Sequence, residues 1–242
     1  MKIIVLQHIK IEDPGYIKDL MLNDNVDLKT IELDGGETIP KDLSIYDAMF
    51  CMGGPMDTWM EKDYPWLIDE KKRIKEFVVD LKKPYLGFCL GCQLLGEAVG
   101  GSVVKSKSPE IGMLNINFSE NKKSDLLFNE FPSQIKSLQW HSYEVQELDK
   151  IKDITLLASS PETKYQIFKY QNHAYGIQFH IEIKDTTVGE WGCVPEYKSA
   201  LEKQLGQGAL EKFDLDAKNN MSNMNKYSKI LYENFKKLLK TL

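Results

Sequence analysis

Residues 83–101 read Lys83-Pro-Tyr-Leu-Gly-Phe-Cys-Leu-Gly-Cys-Gln-Leu-Leu-Gly-Glu-Ala-Val-Gly-Gly101. Positions 84–88 form a short apolar run of strand length, and positions 91–99 carry an amphipathic helical pattern. The chain therefore passes from strand to helix at Cys89 with no room for a loop. Gly87 and Gly91 flank the cysteine at −2 and +2, the Gly-x-nucleophile-x-Gly turn with cysteine in place of serine. Such a turn brings backbone segments too close for side chains, which is what the glycines permit. The following helix points free N–H groups at the sulfur, an arrangement that favours its reactive form. A buried cysteine beside packing glycines is the plain alternative.

The surrounding sequence repeats this alternation. Residues 2–7 read as a buried strand, and Asp13-Pro14 opens a helix to about residue 22. Residues 27–33 form a second strand, broken by Gly35-Gly36; residues 47–52 form a third, ending at Gly53-Gly54-Pro55. A long helix over 64–81 carries Leu67, Ile74, Phe77, Val78 and Leu81 on one stripe. Its lysines, interspersed with Glu70 and Glu76, read as a solvated face. Alternating strands and helices imply a parallel sheet covered on both faces. Beyond residue 100 the character changes. Residues 111–118, 135–140, 154–158, 165–170 and 174–179 are strand-like and suggest a mixed β extension. A final helix presents Tyr227, Ile230, Leu231, Phe235 and Leu238 to the core. The expectation is an α/β fold of three layers with a central, mostly parallel sheet. With no repeat or linker, residues 1–242 read as a single domain.

Composition narrows the function. The chain has 42% hydrophobic and 28% charged residues, as globular proteins do. Its 31 basic and 36 acidic residues give a net charge of −5, which disfavours general nucleic-acid binding. No stretch reaches the ~20 apolar residues of a membrane helix, and residues 3–6 are too short a run for a signal peptide. A cytoplasmic protein without membrane or nucleic-acid partners is expected. Four cysteines are too few for a disulfide scaffold.

A nucleophilic cysteine needs a base, and the base an orienting group. Among four histidines, His180 closes the apolar run Tyr175-Gly-Ile-Gln-Phe-His180, and Glu182 follows at the same-face spacing of a strand. The N–H groups of Gly54 and Leu90 are candidate donors to the oxygen of an attacked carbonyl. His8 and His173 receive no role. Cys89 and Cys92 also form a C-x-x-C pair, but a redox reading leaves the glycines and the distant His-x-Glu without purpose. Cys51 and Cys193 are not spaced as a zinc pair. No metal site and no cofactor are expected.

Gly87-Phe-Cys89-Leu-Gly-Cys-Gln93, Gly53-Gly54-Pro55 and Gly176-Ile-Gln-Phe-His180-Ile-Glu182 together resemble the class I (triad) glutamine amidotransferases, with their flavodoxin-like fold. The similarity is greatest to stand-alone members like the amidotransferase domain of GMP synthase. Residues 8–15, Tyr64-Pro65-Trp66-Leu67, Glu110-Ile-Gly112 and Gln139-Trp-His141 look like landmarks of that branch. The resemblance implies Cys89 as nucleophile, His180 as base and then acid, and Glu182 as the orienting carboxylate. Gln93 and the main chain of His141-Ser142-Tyr143 would hold the substrate's amino-acid end, with Gly54 and Leu90 as oxyanion donors. The implied substrate is glutamine or another γ-glutamyl compound, cleaved through a cysteine thioester.

Two departures stand out. Most family members have proline where this chain has Ile181, and His-Ser-Tyr replaces the His-Gly-Asp common among GMP-synthase-like relatives. The chain also carries no synthetase domain, which makes an ammonia-accepting synthetase a possible partner. The alternatives are a γ-glutamyl peptidase and a regulatory protein, non-catalytic or partner-activated. A cysteine hydrolase on a similar sheet is a further one.

Overall fold

The computed structural model describes residues 1–241. Strand β1 (Lys2–Gln7) explains the architecture on its own. Ile3 and Val5 enter one hydrophobic core, while Ile4 and Leu6 enter a second on the opposite face. A strand buried on both faces must lie inside a sheet covered on both sides. Its neighbours are β2 (Asp27–Glu32) and β3 (Ala48–Cys51), both parallel to it. Next come β4 (Tyr85–Phe88) and β9 (Ala174–Ile177), each parallel to the strand before it.

From β9 the sheet continues antiparallel through β8 (Ile167–Tyr170), β7 (Ile154–Ser159), β5 (Ser102–Phe118) and β6 (Gln134–Gln146). The order is β2-β1-β3-β4-β9-β8-β7-β5-β6. A parallel half is thus joined to an antiparallel extension in one mixed sheet. Helices α1 (Gly15–Asn23) and α6 (Ala209–Leu239) cover one face; α2 (Trp66–Lys75) and α3 (Leu90–Ala98) cover the other. Short α4 (Thr187–Trp191) and α5 (Pro195–Leu205) lie between β9 and α6.

Several sequence expectations need correction. The helix expected over 64–81 is α2 followed by a π-helical turn, Glu76–Asp80. Strands β5 and β6 are longer than their apolar runs, because their outer ends pair with each other and leave alternate side chains in solvent. Residues 181 and 182 are not in a strand; the chain bends after β9. Glu70 is no solvated face residue but fully buried, its charge met by His8. His8 and His173 are buried too, the latter bonded to the Val78 carbonyl at 2.9 Å.

The extension curls back toward the parallel half. The Leu138 N–H donates to the His180 carbonyl at 3.2 Å, and the His180 N–H donates to the Leu138 carbonyl at 2.9 Å. This bridge fixes the backbone of His180 after the strand has ended. Two more tethers hold the same bend. The Tyr16 N–H at the start of α1 donates to the Glu182 carbonyl at 2.6 Å, and Ser228 Oγ of α6 donates to the Ile181 carbonyl at 2.6 Å.

Candidate active site

The turn at Cys89 is held from both sides. Its N–H donates to the Ile177 carbonyl of β9 at 2.8 Å, and the Gly91 N–H donates to the Met52 carbonyl beyond β3 at 3.1 Å. Beneath the turn, the Tyr85 hydroxyl donates to the Gly91 carbonyl at 2.8 Å. These bonds force Cys89 to φ +49°, ψ −102°, a strained conformation for a non-glycine residue and a frequent mark of functional sites. The glycines are a steric requirement. A methyl on Gly87 would strike the Gly91 carbonyl, and one on Gly91 would meet the Cys51 carbonyl carbon at 2.7 Å.

His180 lies 2% exposed beside the cysteine. Its Nδ1 meets Glu182 Oε1 at 2.6 Å, and the other carboxylate oxygen accepts the Ile181 N–H at 2.9 Å. The Glu182 contact anticipated from strand spacing therefore forms across a bend, with the Glu182 carboxylate held by the N–H of the preceding residue, Ile181. Trp191 packs edge-on against the imidazole, ring centroids 4.7 Å apart. Burial pulls the His180 pKa down, but the Glu182 carboxylate and the Cys89 sulfur outweigh it, so the imidazole sits well above its ordinary range.

Gly54, Cys89, Leu90, Gln93, His141, Ser142 and Tyr143 all line one cavity of about 180 Å³. Neither the Gly54 nor the Leu90 N–H has a backbone acceptor among the described residues. Gln93 Nε2 donates to the Tyr143 carbonyl at 3.1 Å and to Gln178 Oε1 at 3.2 Å, which leaves its own oxygen for a ligand. Gln178 in turn donates to the Cys89 sulfur at 3.6 Å. Both ring nitrogens of His141 are directed at protein groups. Its Nδ1 donates to the Tyr143 carbonyl at 3.0 Å, and its Nε2 faces Glu110 at 3.5 Å. Ser142 falls in the irregularity where Lys105 pairs with Tyr143 and Glu110 with His141, so its main chain is out of the ladder.

Other residues of the site carried no signal in the sequence. Helix α5 brings Glu196, Tyr197 and Ala200 to the cavity, and the loop after β3 brings Asp57, whose carboxyl burial pushes up to about 6. Glu12 is buried, and the Tyr197 hydroxyl donates to it. Burial raises its pKa to about 7 against the opposing pull of His180 and the Tyr197 bond. Glu12 falls within the landmark segment 8–15, but its partner Tyr197 lies 185 residues away, so nothing local in the sequence signals the pairing.

Donor atoms of His8, Cys51 and Glu70 lie within 4.8 Å of one another, the residue types of a metal triad. They are engaged otherwise. His8 Nδ1 bonds the Gly53 carbonyl and Nε2 bonds Glu70, both at 2.8 Å; the Cys51 thiol donates to the same carboxylate at 3.5 Å. Burial and the neighbouring Glu70 raise the Cys51 pKa to about 11, which favours the thiol rather than a metal-binding thiolate. No helix among the described residues is long and apolar enough to cross a membrane.

A family model described as glutamine amidotransferase class-I matches residues 17–191. The chain is 30% identical over 168 residues to the glutamine-hydrolyzing GMP synthase subunit of Sulfolobus acidocaldarius, covering 67% of this chain and 84% of that protein. The corresponding protein of Ignicoccus hospitalis is 34% identical over 151 residues, 62% of this chain and 74% of that one. In three dimensions, the crystal structure of a glutamine amidotransferase from Thermotoga maritima superposes with a TM-score of 0.85 at 26% identity, covering 99% of this chain and 98% of that one.

Proposed function

This chain belongs to the class-I glutamine amidotransferase family, and from that premise we propose that it hydrolyses the γ-amide of glutamine through a thioester on Cys89. The observation that carries the reading is the strained Cys89 at the head of α3, beside a buried imidazole that Glu182 holds at 2.6 Å. The sulfur attacks the γ-carbonyl carbon, and the oxygen takes negative charge facing the Gly54 and Leu90 N–H groups. His180, held as imidazolium by Glu182, gives its proton to the amide nitrogen as the C–N bond breaks, and ammonia leaves. A water then attacks the thioester and passes a proton to His180; the C–S bond breaks, releasing glutamate.

The cavity supports a small substrate. Its 180 Å³ is below the ~300–1,000 Å³ of pockets for larger ligands. Its acidic side chains are Asp57 and Glu196, which suit an α-ammonium group, as does the free oxygen of Gln93. A γ-glutamyl peptide is the second reading. It is favoured by an adjoining groove of about 450 Å³ that shares Ser142, Tyr143, Glu196 and Ala200 with the cavity. The relatives are described as one subunit of GMP synthase, so the proposed partner is a synthetase subunit that accepts ammonia.

The test is glutamate release from glutamine, γ-glutamyl amides and γ-glutamyl peptides, with Cys89→Ala as the blank. Turnover of glutamine that the Cys89→Ala variant loses supports the proposal. Preference for peptides moves the assignment to a peptidase. Turnover that survives Cys89→Ala refutes it.

A further inference from the structure

Behind the proposed oxyanion site lies a second buried histidine–glutamate couple. We infer that His8 and Glu70 are positioning residues for the reaction, fixing and polarising the peptide unit whose N–H, on Gly54, faces the cavity. This inference rests on the amidotransferase reading of that cavity.

The argument begins with hydrogen-bond chemistry. The Gly53 carbonyl can only accept, so the His8 Nδ1 at 2.8 Å must carry the proton. The Gly53 C=O and the Gly54 N–H belong to one planar trans peptide. Whatever fixes that oxygen also aims that N–H. The parallel register explains why His8 reaches it. Leu6 pairs with Cys51, so two residues further on His8 stands beside Gly53. A methyl on Gly54 would meet the His8 Cβ at 3.0 Å and Leu90 Cδ2 at 3.1 Å, so the peptide is wedged between His8 and the first residue of α3.

Glu70 supplies the charge. Its Oε1 meets His8 Nε2 at 2.8 Å, and both side chains are fully buried. Burial opposes a charge on His8, but Glu70 and Cys51 outweigh it and lift the ring well above the usual imidazole range. A carbonyl that accepts from a charged donor makes its own peptide N–H a better donor, because chained hydrogen bonds polarise one another. Stacking on Trp66, centroids 5.6 Å apart and planes at 26°, holds the ring in place. Stability is a poor explanation for the couple. Buried ion pairs are commonly no better than apolar packing, and Glu70 Oε2 has no partner among the described residues.

The experiment compares wild type with His8→Phe, His8→Asn and Glu70→Gln. Asparagine keeps a donor toward Gly53 without the charge, and glutamine removes only the charge behind it. We expect His8→Phe to lower kcat about 30- to 100-fold with KM within about threefold, less than the ~100- to 1,000-fold cost of removing an oxyanion donor outright, because the Gly54 N–H itself remains. His8→Asn should recover part of that loss, and Glu70→Gln should cost about three- to tenfold. Two probes separate positioning from loosened packing. Glutamate γ-semialdehyde forms a tetrahedral adduct whose oxygen occupies the oxyanion site, and its affinity should fall in step with kcat/KM. Iodoacetamide alkylates Cys89 without an oxyanion, and its rate should stay within twofold.

Unchanged kcat and unchanged aldehyde affinity in Glu70→Gln and His8→Asn would overturn the inference. So would a parallel loss of alkylation, or one equivalent of zinc in the purified wild type that His8→Asn removes. Aldehyde affinity is read without turnover. A wild type that hydrolyses no γ-glutamyl compound therefore counts against the proposed function, while the aldehyde series still decides the roles of His8 and Glu70.

Discussion

Glu12→Gln isolates the electrostatic cost built in beside the His180 imidazole. Glu12 is 2% exposed, and burial raises its carboxyl from 4.5 to about 7. The folded protein therefore holds this proton more tightly than the unfolded chain does. The stabilisation is complete below the unfolded value and is lost as pH climbs through about 7. The span from 4.5 to about 7 corresponds to about 3 kcal/mol. Glutamine has nearly the same shape, can accept the Tyr197 hydroxyl and never ionises. The variant should exceed wild type in stability by under about 1 kcal/mol at pH 5, rising to about 3 kcal/mol at pH 8. Urea unfolding at pH 5, 6, 7 and 8 measures this, taken as the difference between the two proteins so that titrations not coupled to Glu12 cancel. A difference that stays constant from pH 5 to pH 8 would refute the reasoning.

The remaining predictions concern the turn and the triad. Gly91→Ala should lose about 1–3 kcal/mol by overpacking against Cys51, against a helix-propensity gain of at most about 1 kcal/mol, and turnover should fall with it; wild-type unfolding and kinetics would show the turn to be less tight than described. In glutaminase assays, Cys89→Ala should abolish turnover and His180→Ala should come close to it. Glu182→Gln should retain more, since it removes orientation and charge but not the base; equal losses in the latter two would contradict that order. Ile181→Pro deletes the N–H that bonds Glu182 at 2.9 Å. It should destabilise by about 1.5–3 kcal/mol, the range for a hydrogen bond to a charged group, as read by thermal unfolding.

The parallel half of the fold was legible because a strand buried on both faces leaves an unbroken apolar run, as residues 3–6 and 84–88 do. The tight turn at Cys89 was legible because steric demands at Gly87 and Gly91 write themselves as residue types. Glu70 was not. A helix rich in lysine and glutamate looks solvated throughout, and nothing local reveals that one carboxylate meets a histidine 62 positions away. Helix α5 was missed because only Tyr197 and Leu201 of its eleven residues are buried, too thin a stripe to stand out. The Glu182 contact came from a strand argument although the chain bends there. The two residues meet because three distant segments clamp the bend.

One of those clamps has a practical meaning for anyone who would trim or split this chain. Ser228 holds the Ile181 carbonyl from α6, a helix that starts only at Ala209, after Gly206 and Gly208 in positive-φ conformations. That glycine pair looks like a natural place to cut, and every proposed catalytic residue lies upstream of it. A fragment ending there would keep the whole chemical inventory and lose part of the mount that aligns it. Engineering that needs a free end should extend the chain beyond α6 rather than shorten it.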